Sequence, residues 1–283
     1  MSRGKGEEQV GADIRKMEKR KLHRKAVVIG NRQLCADHYL LTLEEGELAK
    51  TTRPGQFINL RINDRDELLL RRPFSVARMR PEQSSVEIAY RIIGKGTEAM
   101  KDLKPGNGVD LMGPLGQGFH LPEEPMNCLL IGGGVGLAPL WGLADQLSRS
   151  QNKLIVLLGY RSFDYLFGVE VFKDCKAETI VTTDDGSYGL KGLASEYVAD
   201  VLRRPIDYVY VCGPPLMLRA VIPMIRKANL KGEVSVEEKM GCGYGVCLSC
   251  VVNVMKNGEI EKQRVCTEGP VFDIEDLLPD DET

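Results

Sequence analysis

The sequence predicts a multidomain protein of the α/β plus β class, with an antiparallel β-barrel, a doubly wound parallel α/β domain and a small C-terminal domain. Three observations predict it. Short apolar runs separated by turn signals fill residues 26–122, strands alternate with helices over residues 123–231, and four of the eight cysteines lie within residues 232–283. The 283 residues exceed the ~100 to 200 of a single domain. Residues 1–25 form a separate charged tail.

Composition excludes several classes of function. The chain is 43% hydrophobic and 28% charged, and its formal net charge of -2 gives no general attraction to nucleic acid. The tail lacks the apolar core of a signal peptide. The longest uncharged run, residues 125–144, contains five glycines and two prolines, unlike a membrane span. We therefore predict no nucleic-acid or membrane partner and a cytoplasmic location, where cysteines favour metal binding over disulfides.

The first domain is predicted from its strands and turns. Apolar runs at 57–62, 73–76 and 86–93 are punctuated by Pro-Gly and Gly-Pro pairs, which is typical of a small antiparallel barrel. Within this domain lies an Arg-Pro-Phe-Ser segment. Its arginine suits a diphosphate, its aromatic side chain suits packing on a ligand ring, and its hydroxyl suits a hydrogen bond to a ring nitrogen. These residues are Arg72, Pro73, Phe74 and Ser75. Four residues alone are a weak flavin signature.

The second domain is predicted from alternating elements. Apolar strands near 128–131, 154–158, 179–181 and 208–211 alternate with helices, as in a parallel sheet. The first turn carries Gly132, Gly133, Gly134 and Gly136 before a helix, whose N–H groups suit a pyrophosphate. Leu137 replaces the third glycine of the dinucleotide motif, and no acid follows the second strand. The turn therefore either binds phosphate or only packs a strand on a helix.

Two later positions of this domain also lie at strand ends. Arg161 follows the second strand and faces either a 2′-phosphate or solvent, which leaves NAD against NADP open. Cys212 and Gly213 end the last strand, at the edge where open α/β sheets bind ligands. Cys212 either borders the nicotinamide or is a buried packing residue.

The third domain is predicted from cysteine spacing. Cys242, Cys247 and Cys250 form a C-x4-C-x2-C run, and Cys266 follows after fifteen residues, which is the plant-type 2Fe-2S spacing. Two strands joined by an Asn257-Gly258 turn return Cys266 to the loop. The alternative is a four-cysteine zinc site, which usually needs two C-x2-C pairs. Only one pair is present, so we predict the cluster.

The order of these motifs from residue 26 to 272 resembles the ferredoxin-reductase-like flavoprotein family. Within it the chain is most similar to the electron-transfer subunits of NAD-linked dihydroorotate dehydrogenases, particularly in its Cys-Thr-Glu-Gly-Pro-Val-Phe ending. The resemblance implies FAD, a 2Fe-2S cluster and NAD(H) as co-substrate. It implies that the FAD-binding residues are Arg72, Pro73, Phe74, Ser75, Ala89, Tyr90, Arg91, Gly96 and Thr97, with Ser75 near the reactive flavin nitrogen.

The resemblance also implies a function. A partner subunit with FMN oxidises dihydroorotate, and electrons pass through the cluster and FAD to NAD⁺, in a heterotetramer of two plus two chains. Ser75 and Cys212 are then the candidate catalytic residues. One alternative is the corresponding subunit of a ferredoxin:NADP⁺ oxidoreductase or a sulfite reductase. Another is a zinc-stabilised interaction protein without redox activity.

Overall fold

The computed structural model describes residues 23–62 and 68–278. The predicted tail therefore lies outside the described residues except for its last three, which begin the first strand. The first sheet has seven strands, all paired antiparallel, in the order β4-β3-β7-β1-β2-β6-β5. These are β1 (His23–Cys35), β2 (His38–Glu44), β3 (Phe57–Arg61), β4 (Arg72–Ser75), β5 (Arg78–Arg80), β6 (Ser85–Arg91) and β7 (Gly108–Leu115).

The chain connectivity closes this sheet into a barrel. Strands β4 and β5 lie at opposite edges, yet only Val76 and Ala77 separate them. The three Cα–Cα steps from Ser75 to Arg78 span at most about 11 Å, so the two edges must come close together at this point. The interior is apolar and includes the wholly buried Leu41, Ile58 and Ile88. Helices α1 (Gly46–Thr51) and α2 (Lys95–Lys101) lie on this domain, and the predicted antiparallel barrel is confirmed.

The second sheet has the order β11-β10-β9-β8-β12-β13-β16 and is parallel except for β16. Its order reverses beside β8, which creates a crevice at the carboxyl ends of β8 and β12. The predicted doubly wound α/β domain is confirmed. The elements are β8 (Asn127–Gly133), α3 (Pro139–Arg149), β9 (Lys153–Tyr160), α4 (Val169–Asp174), β10 (Glu178–Thr183), β11 (Leu190–Lys191), α5 (Ala194–Val201), β12 (Tyr208–Cys212), α6 (Pro215–Lys227), β13 (Lys231–Ser235) and β16 (Val271–Asp273).

The cysteine-rich segment contains a hairpin of β14 (Val251–Lys256) and β15 (Glu259–Arg264). Its turn residues Asn257 and Gly258 have φ of 53° and 82°, the positive values that the predicted type I′ turn requires. After the hairpin the chain returns to the second sheet as β16, which pairs with β13. Residues from both ends of the segment 232–278 thus belong to that sheet, and the domain boundaries stay predictions.

The three units share apolar packing. Phe57 and Leu115 from the barrel lie in one core with Val234 from the second sheet and with Cys250 and Cys266. This common core fixes the cysteine segment against both larger domains. Among the described residues, no helix combines the length and apolar character needed to cross a membrane.

Candidate functional site

A cavity of about 370 Å³ lies between the outer face of the barrel, the glycine-rich turn and the segment that leads into the cysteines. Phe57 lines it from β3, where it stands opposite Ser75 in the register. Val236, Glu237 and Met240 line the opposite side. Seven residues of the predicted FAD set line this one cavity: Pro73, Phe74, Ser75, Ala89, Tyr90, Arg91 and Thr97.

The aromatic wall of the cavity is held in place from within the barrel. The ring centroids of Phe74 and Tyr90 are 6.2 Å apart in an edge-on arrangement. The Tyr90 hydroxyl donates to Asn31 Oδ1 at 3.1 Å. Burial raises the pKa of Tyr90 to about 12, so the phenol keeps its proton and remains a donor. The half-buried Phe74 ring therefore lies at the cavity, and the buried Tyr90 ring supports it from the barrel core.

Arg72 and Gly96, the remaining FAD candidates, meet beside the cavity rather than in its lining. A Cβ at Gly96 would stand 2.8 Å from Arg72 Nε, so only glycine allows the guanidinium this position. Arg72 donates to the carbonyl of Leu68 at 3.1 Å. Together with Thr97, whose hydroxyl accepts from the Ile93 N–H at 2.9 Å, they form a cationic end to an aromatic groove. That arrangement fits a flavin carrying a diphosphate.

A second cavity, of about 300 Å³, opens at the carboxyl ends of the parallel strands. Its lining contains four of the predicted nucleotide residues, Gly133, Gly134, Gly136 and Gly213. Gly132 is buried behind them, with its Cβ position 2.9 Å from Leu137 Cβ. A Cβ at Gly136 would lie 2.7 Å from Gly213 Cα, so the two turns touch and need glycine. The turn therefore packs closely and also lines a cavity.

The two cavities adjoin one another. Arg91, Val135 and Glu237 line both of them. A dinucleotide at the glycine turns and a flavin against the barrel would therefore face each other across these three residues. That is the arrangement that hydride transfer between two cofactors requires.

The cluster loop places its cysteines in two pairs. The backbone N–H of Cys242 points at Cys247 Sγ, and the N–H of Cys247 points at Cys242 Sγ, both at 3.4 Å. The thiols of Cys250 and Cys266 are both buried, and burial together with the neighbouring Cys250 raises the pKa of Cys266 to about 12. Hydrogen bonding to Ser249 lowers the pKa of Cys247 to about 6.

This pairing fits a two-iron cluster, in which each iron takes two of the four protein ligands. Among the described residues, no three His, Cys, Asp or Glu side chains converge on one position for a single metal ion. The N–H of Val246 adds a further donor to Cys242 Sγ at 3.3 Å, as cluster sulfurs commonly receive. The geometry therefore favours the cluster over the zinc alternative.

Comparison with protein families places the same three units along the chain. Residues 237–278 match the iron-sulfur cluster binding domain of dihydroorotate dehydrogenase B. Residues 25–120 match the oxidoreductase FAD-binding domain, and residues 130–222 match the oxidoreductase NAD-binding domain.

Relatives named dihydroorotate dehydrogenase B (NAD⁺), electron transfer subunit, match over nearly their whole length. The protein from Desulforamulus reducens is 37% identical over 252 residues, which cover 87% of this chain and 95% of the relative. That from Caldanaerobacter subterraneus subsp. tengcongensis is 39% identical over 254 residues, or 90% and 98% of the two chains. The chain belongs to this family of electron-transfer subunits. It is therefore an oxidoreductase subunit that uses FAD, an iron-sulfur cluster and NAD(H), and that works with a catalytic partner subunit.

A solved structure agrees with this membership. A chain from the NADH-dependent reduced ferredoxin-NADP oxidoreductase, studied for flavin-based electron bifurcation, superimposes with a TM-score of 0.80 and 30% identity, covering 90% of each chain. The ferredoxin reductase of carbazole 1,9a-dioxygenase shares the fold alone, with a TM-score of 0.64 and 23% identity over 74% of this chain and 66% of the other. The architecture is thus shared with the predicted alternative, the corresponding subunit of a ferredoxin:NADP⁺ oxidoreductase. The relatives at 37–39% identity, however, are named as dihydroorotate dehydrogenase subunits.

Cys212 of this electron-transfer subunit lies at the end of β12, as predicted, but is only 3% exposed. It is not in the lining of either cavity. Burial is the main cause that raises its pKa, so the thiol keeps its proton. Ser75, by contrast, lines the flavin cavity directly. The catalytic assignments of both residues stay predictions.

Sequence reasoning missed one acid in the lining of the cavities and a second acid next to a lining residue. Glu237 lines both cavities, and desolvation raises the pKa of its carboxyl. Its position just before the cluster loop was the only available signal. Asp184 follows β10 and donates its N–H to the Tyr160 carbonyl at 3.1 Å, at the end of β9. No acid follows the second strand itself. An acid near its end is instead Asp184, which follows the neighbouring strand and lies beside Arg161.

Proposed function

We propose that the chain passes electrons between an FMN-containing dihydroorotate dehydrogenase subunit and NAD⁺, in a heterotetramer of two chains of each kind. One observation carries the proposal. Phe57 lines the flavin cavity and packs in the same core as Cys250 and Cys266. One apolar core therefore includes both a residue of the flavin cavity and two of the predicted cluster ligands.

The barrel residues bind and orient the flavin. Arg72 would bind the diphosphate, and Phe74, backed by the buried Tyr90, would pack against the flavin. The Ser75 hydroxyl, which lines the cavity, would donate a hydrogen bond to the flavin and help to orient it. When bound, the flavin supplies the conversion between one-electron and two-electron transfer, whereas the chain supplies orientation and a water-poor pocket.

The glycine turns orient the nicotinamide nucleotide. Gly134 and Gly136 allow its pyrophosphate to approach the backbone, and Gly213 leaves room for the nicotinamide ring. Cys212 lies behind this turn and supports it from the core. Glu237 lines both cavities, and desolvation raises the pKa of its carboxyl close to the point where the two cofactors would meet.

The cluster loop presents an apolar surface that suits a partner subunit. Tyr244, Val246 and Leu248 are 42%, 71% and 63% exposed, and Cys247 lies exposed among them. Exposed apolar patches beside a functional group are typical of protein interfaces. We infer that the FMN subunit docks on these residues, so that electrons enter on the side of the exposed Cys247.

The proposal also includes the cellular location and the other partners of the complex. We place the complex in the cytoplasm, without a nucleic-acid or membrane partner. The eight free cysteines support this location, because a reducing compartment keeps thiols available for iron.

The first test is spectroscopic. The anaerobically purified chain is analysed for flavin, iron, sulfide and zinc, and its absorption is recorded before and after NADH and then NADPH. We expect flavin and two irons per chain, with faster bleaching by NADH. Zinc without flavin would refute the proposal.

The second test concerns the partner. The FMN subunit is added, and the mass of the complex is measured by analytical ultracentrifugation. Val246→Asp with Leu248→Asp should abolish the complex, whereas Leu193→Asp, at an exposed apolar position on the α/β domain, should not. Unchanged assembly of the loop variant would contradict the docking surface.

A further inference from the structure

Asn59 is a buried polar residue on the outer face of the barrel. It lies on β3 and is 1% exposed. Its Nδ2 donates to the backbone carbonyl of Cys242 at 3.0 Å, across 183 positions of sequence. Because a carbonyl can only accept, this bond also determines which end of the amide faces the loop. Asn59 therefore joins the flavin barrel directly to the first cluster ligand.

The position of Asn59 relates it to the flavin cavity as well. It stands opposite Pro73, a cavity residue, and two positions after Phe57, another one. Residues two apart on a strand share a face, so the three side chains lie on the same side of the β3–β4 ribbon. Asn59 is thus a neighbour of both the flavin wall and the cysteine loop.

The loop is pressed closely against this amide. A Cβ at Gly243 would lie 2.4 Å from Asn59 Nδ2, and Gly243 has a φ of +78°. Two independent features of Gly243, its backbone angle and its lack of a side chain, therefore permit the contact. The Oδ1 atom of Asn59 is buried and has no hydrogen-bond partner among the described residues.

Packing alone does not account for an asparagine at this position. A buried acceptor without a partner destabilises the folded chain, and leucine has a similar size without that cost. The side chain therefore contributes something that an apolar residue does not. Its one hydrogen bond identifies the contribution, because that bond ends on the backbone of a cluster ligand.

We propose that Asn59 is a positioning residue, which holds the cluster loop at its distance from the flavin cavity and tunes the potential of the cluster. The proposal rests on the transfer of electrons between cluster and flavin described above. The step is the movement of one electron, with no bond formed or broken. The N–H donor withdraws charge from the Cys242 backbone and so favours the reduced, more negative cluster.

The test uses the holoprotein with Asn59→Asp and Asn59→Leu. The first variant has nearly the same shape but loses the donor and adds a negative charge, and the second removes polarity. Asn152→Leu is the matched control, because Asn152 also donates from Nδ2 to a backbone carbonyl, that of Leu147 at 3.0 Å, in a loop of the α/β domain.

Three readouts separate positioning from simple stability. We expect both Asn59 variants to lower the cluster midpoint potential in EPR-monitored titrations, with Asn59→Asp lower than Asn59→Leu. We expect slower cluster reduction after NADH has reduced the flavin at an unchanged rate. Iron loss to a chelator should be roughly tenfold faster, as for other residues that support metal ligands. Asn152→Leu should change thermal stability but none of these three quantities.

The result that would overturn the proposal is equally specific. Wild-type potential and EPR line shape in Asn59→Asp, with only a lower melting temperature, would leave Asn59 a structural residue. If Asn59→Leu does not assemble its cluster, the near-isosteric Asn59→Asp decides alone. Failure of NADH to reduce the cluster in the unaltered chain would instead refute the proposed function, which makes the two failures distinguishable.

Discussion

Arg78 of the barrel and Asp145 of helix α3 form a two-pronged ion pair between domains. Arg78 Nε donates to Asp145 Oδ2 at 2.7 Å, and Nη2 donates to Oδ1 at 2.8 Å. Both side chains are largely buried, at 13% and 18% exposure. Nearby, the Gly142 N–H donates to the Ala77 carbonyl at 2.7 Å. These contacts hold the barrel and the α/β domain in the relation that makes the two cavities adjoin.

We expect Asp145→Asn to destabilise the holoprotein by about 2 kcal/mol, because it leaves a largely buried guanidinium without its counterion. Urea unfolding monitored by circular dichroism measures the change. Asp200→Asn is the control, since Asp200 pairs with Arg203 on the open surface and should cost less than about 0.5 kcal/mol. Equal effects of the two substitutions would show that the interdomain pair stabilises the folded chain no more than an exposed surface pair does.

Gly243→Ala and Gly258→Ala form a matched comparison of two glycines. Both have a positive φ, of 78° and 82°, so each alanine should cost about 1 kcal/mol of backbone strain. A Cβ meets nothing within 4 Å at Gly258 but lies 2.4 Å from Asn59 Nδ2 at Gly243. We therefore expect only Gly243→Ala to lose cluster, measured as iron and sulfide per chain. Full iron content in Gly243→Ala would contradict the tight contact.

Asp184 should contribute to the choice between NADH and NADPH. Burial and the neighbouring Asp185 raise the pKa of Asp184. The positive charge of Arg161, which lies beside the carboxylate, acts in the opposite direction. An acid near that guanidinium competes with a 2′-phosphate. We expect Asp184→Ser to raise kcat/KM for NADPH by about tenfold, equivalent to about 1.4 kcal/mol.

The control for that substitution is Asp185→Ser, which removes the same charge from the next position. The Asp185 carboxylate is already bound by the Ser187 hydroxyl at 2.6 Å and points into its own turn. Little change in NADPH use is expected there. If both variants gain equally in steady-state flavin reduction, general surface charge rather than Asp184 sets the preference.

Glu233 should make stability depend on pH. Desolvation is the largest cause that raises the pKa of Glu233 to about 7, and the nearby Asp273 adds to it. The His120 N–H, which donates to the carboxylate at 2.8 Å, lowers this pKa but does not offset the rise. In an unfolded chain the pKa of a glutamate carboxyl is about 4.3. Between those two pKa values the folded state binds more protons, so stability falls as pH rises through this window.

Glu233→Gln removes that dependence, because glutamine accepts the same hydrogen bond without a charge. We expect a gain of about 2 kcal/mol at about pH 8 and none at about pH 4, after allowing for partial solvent screening. Melting temperatures across this range measure it. Glu259→Gln, on the exposed hairpin, is the control. The same slope in both variants would contradict the assignment to Glu233.

Local signals in the sequence were sufficient for much of the molecule. The Asn257-Gly258 turn, the glycine turn after β8 and the C-x4-C-x2-C run each depend on neighbouring residues, so their chemistry can be read without tertiary information. The resemblance to ferredoxin-reductase-like flavoproteins, rather than spacing alone, predicted which segments line the flavin cavity. What these signals lack is the distance between segments.

Contacts between distant segments could not be predicted in this way. Asp184 replaces the missing acid only because β10 lies beside β9, and strand order is not encoded in any short motif. Cys212 occupies the predicted strand end, yet its side chain packs into the core, which depends on the helices around it. Neither fact follows from the residues adjacent in sequence.

The sequence by itself determined the three units, their order and their cofactor chemistry, because these depend on residue types at short spacing. Only the tertiary structure decided how the units meet: Phe57 lies in one core with Cys250 and Cys266, Glu237 lines two cavities, and Asn59 donates to the carbonyl of Cys242. The physical reason is that sheet order and shared burial bring together groups separated by more than a hundred residues, and the pattern of one segment contains no information about the surface it will face.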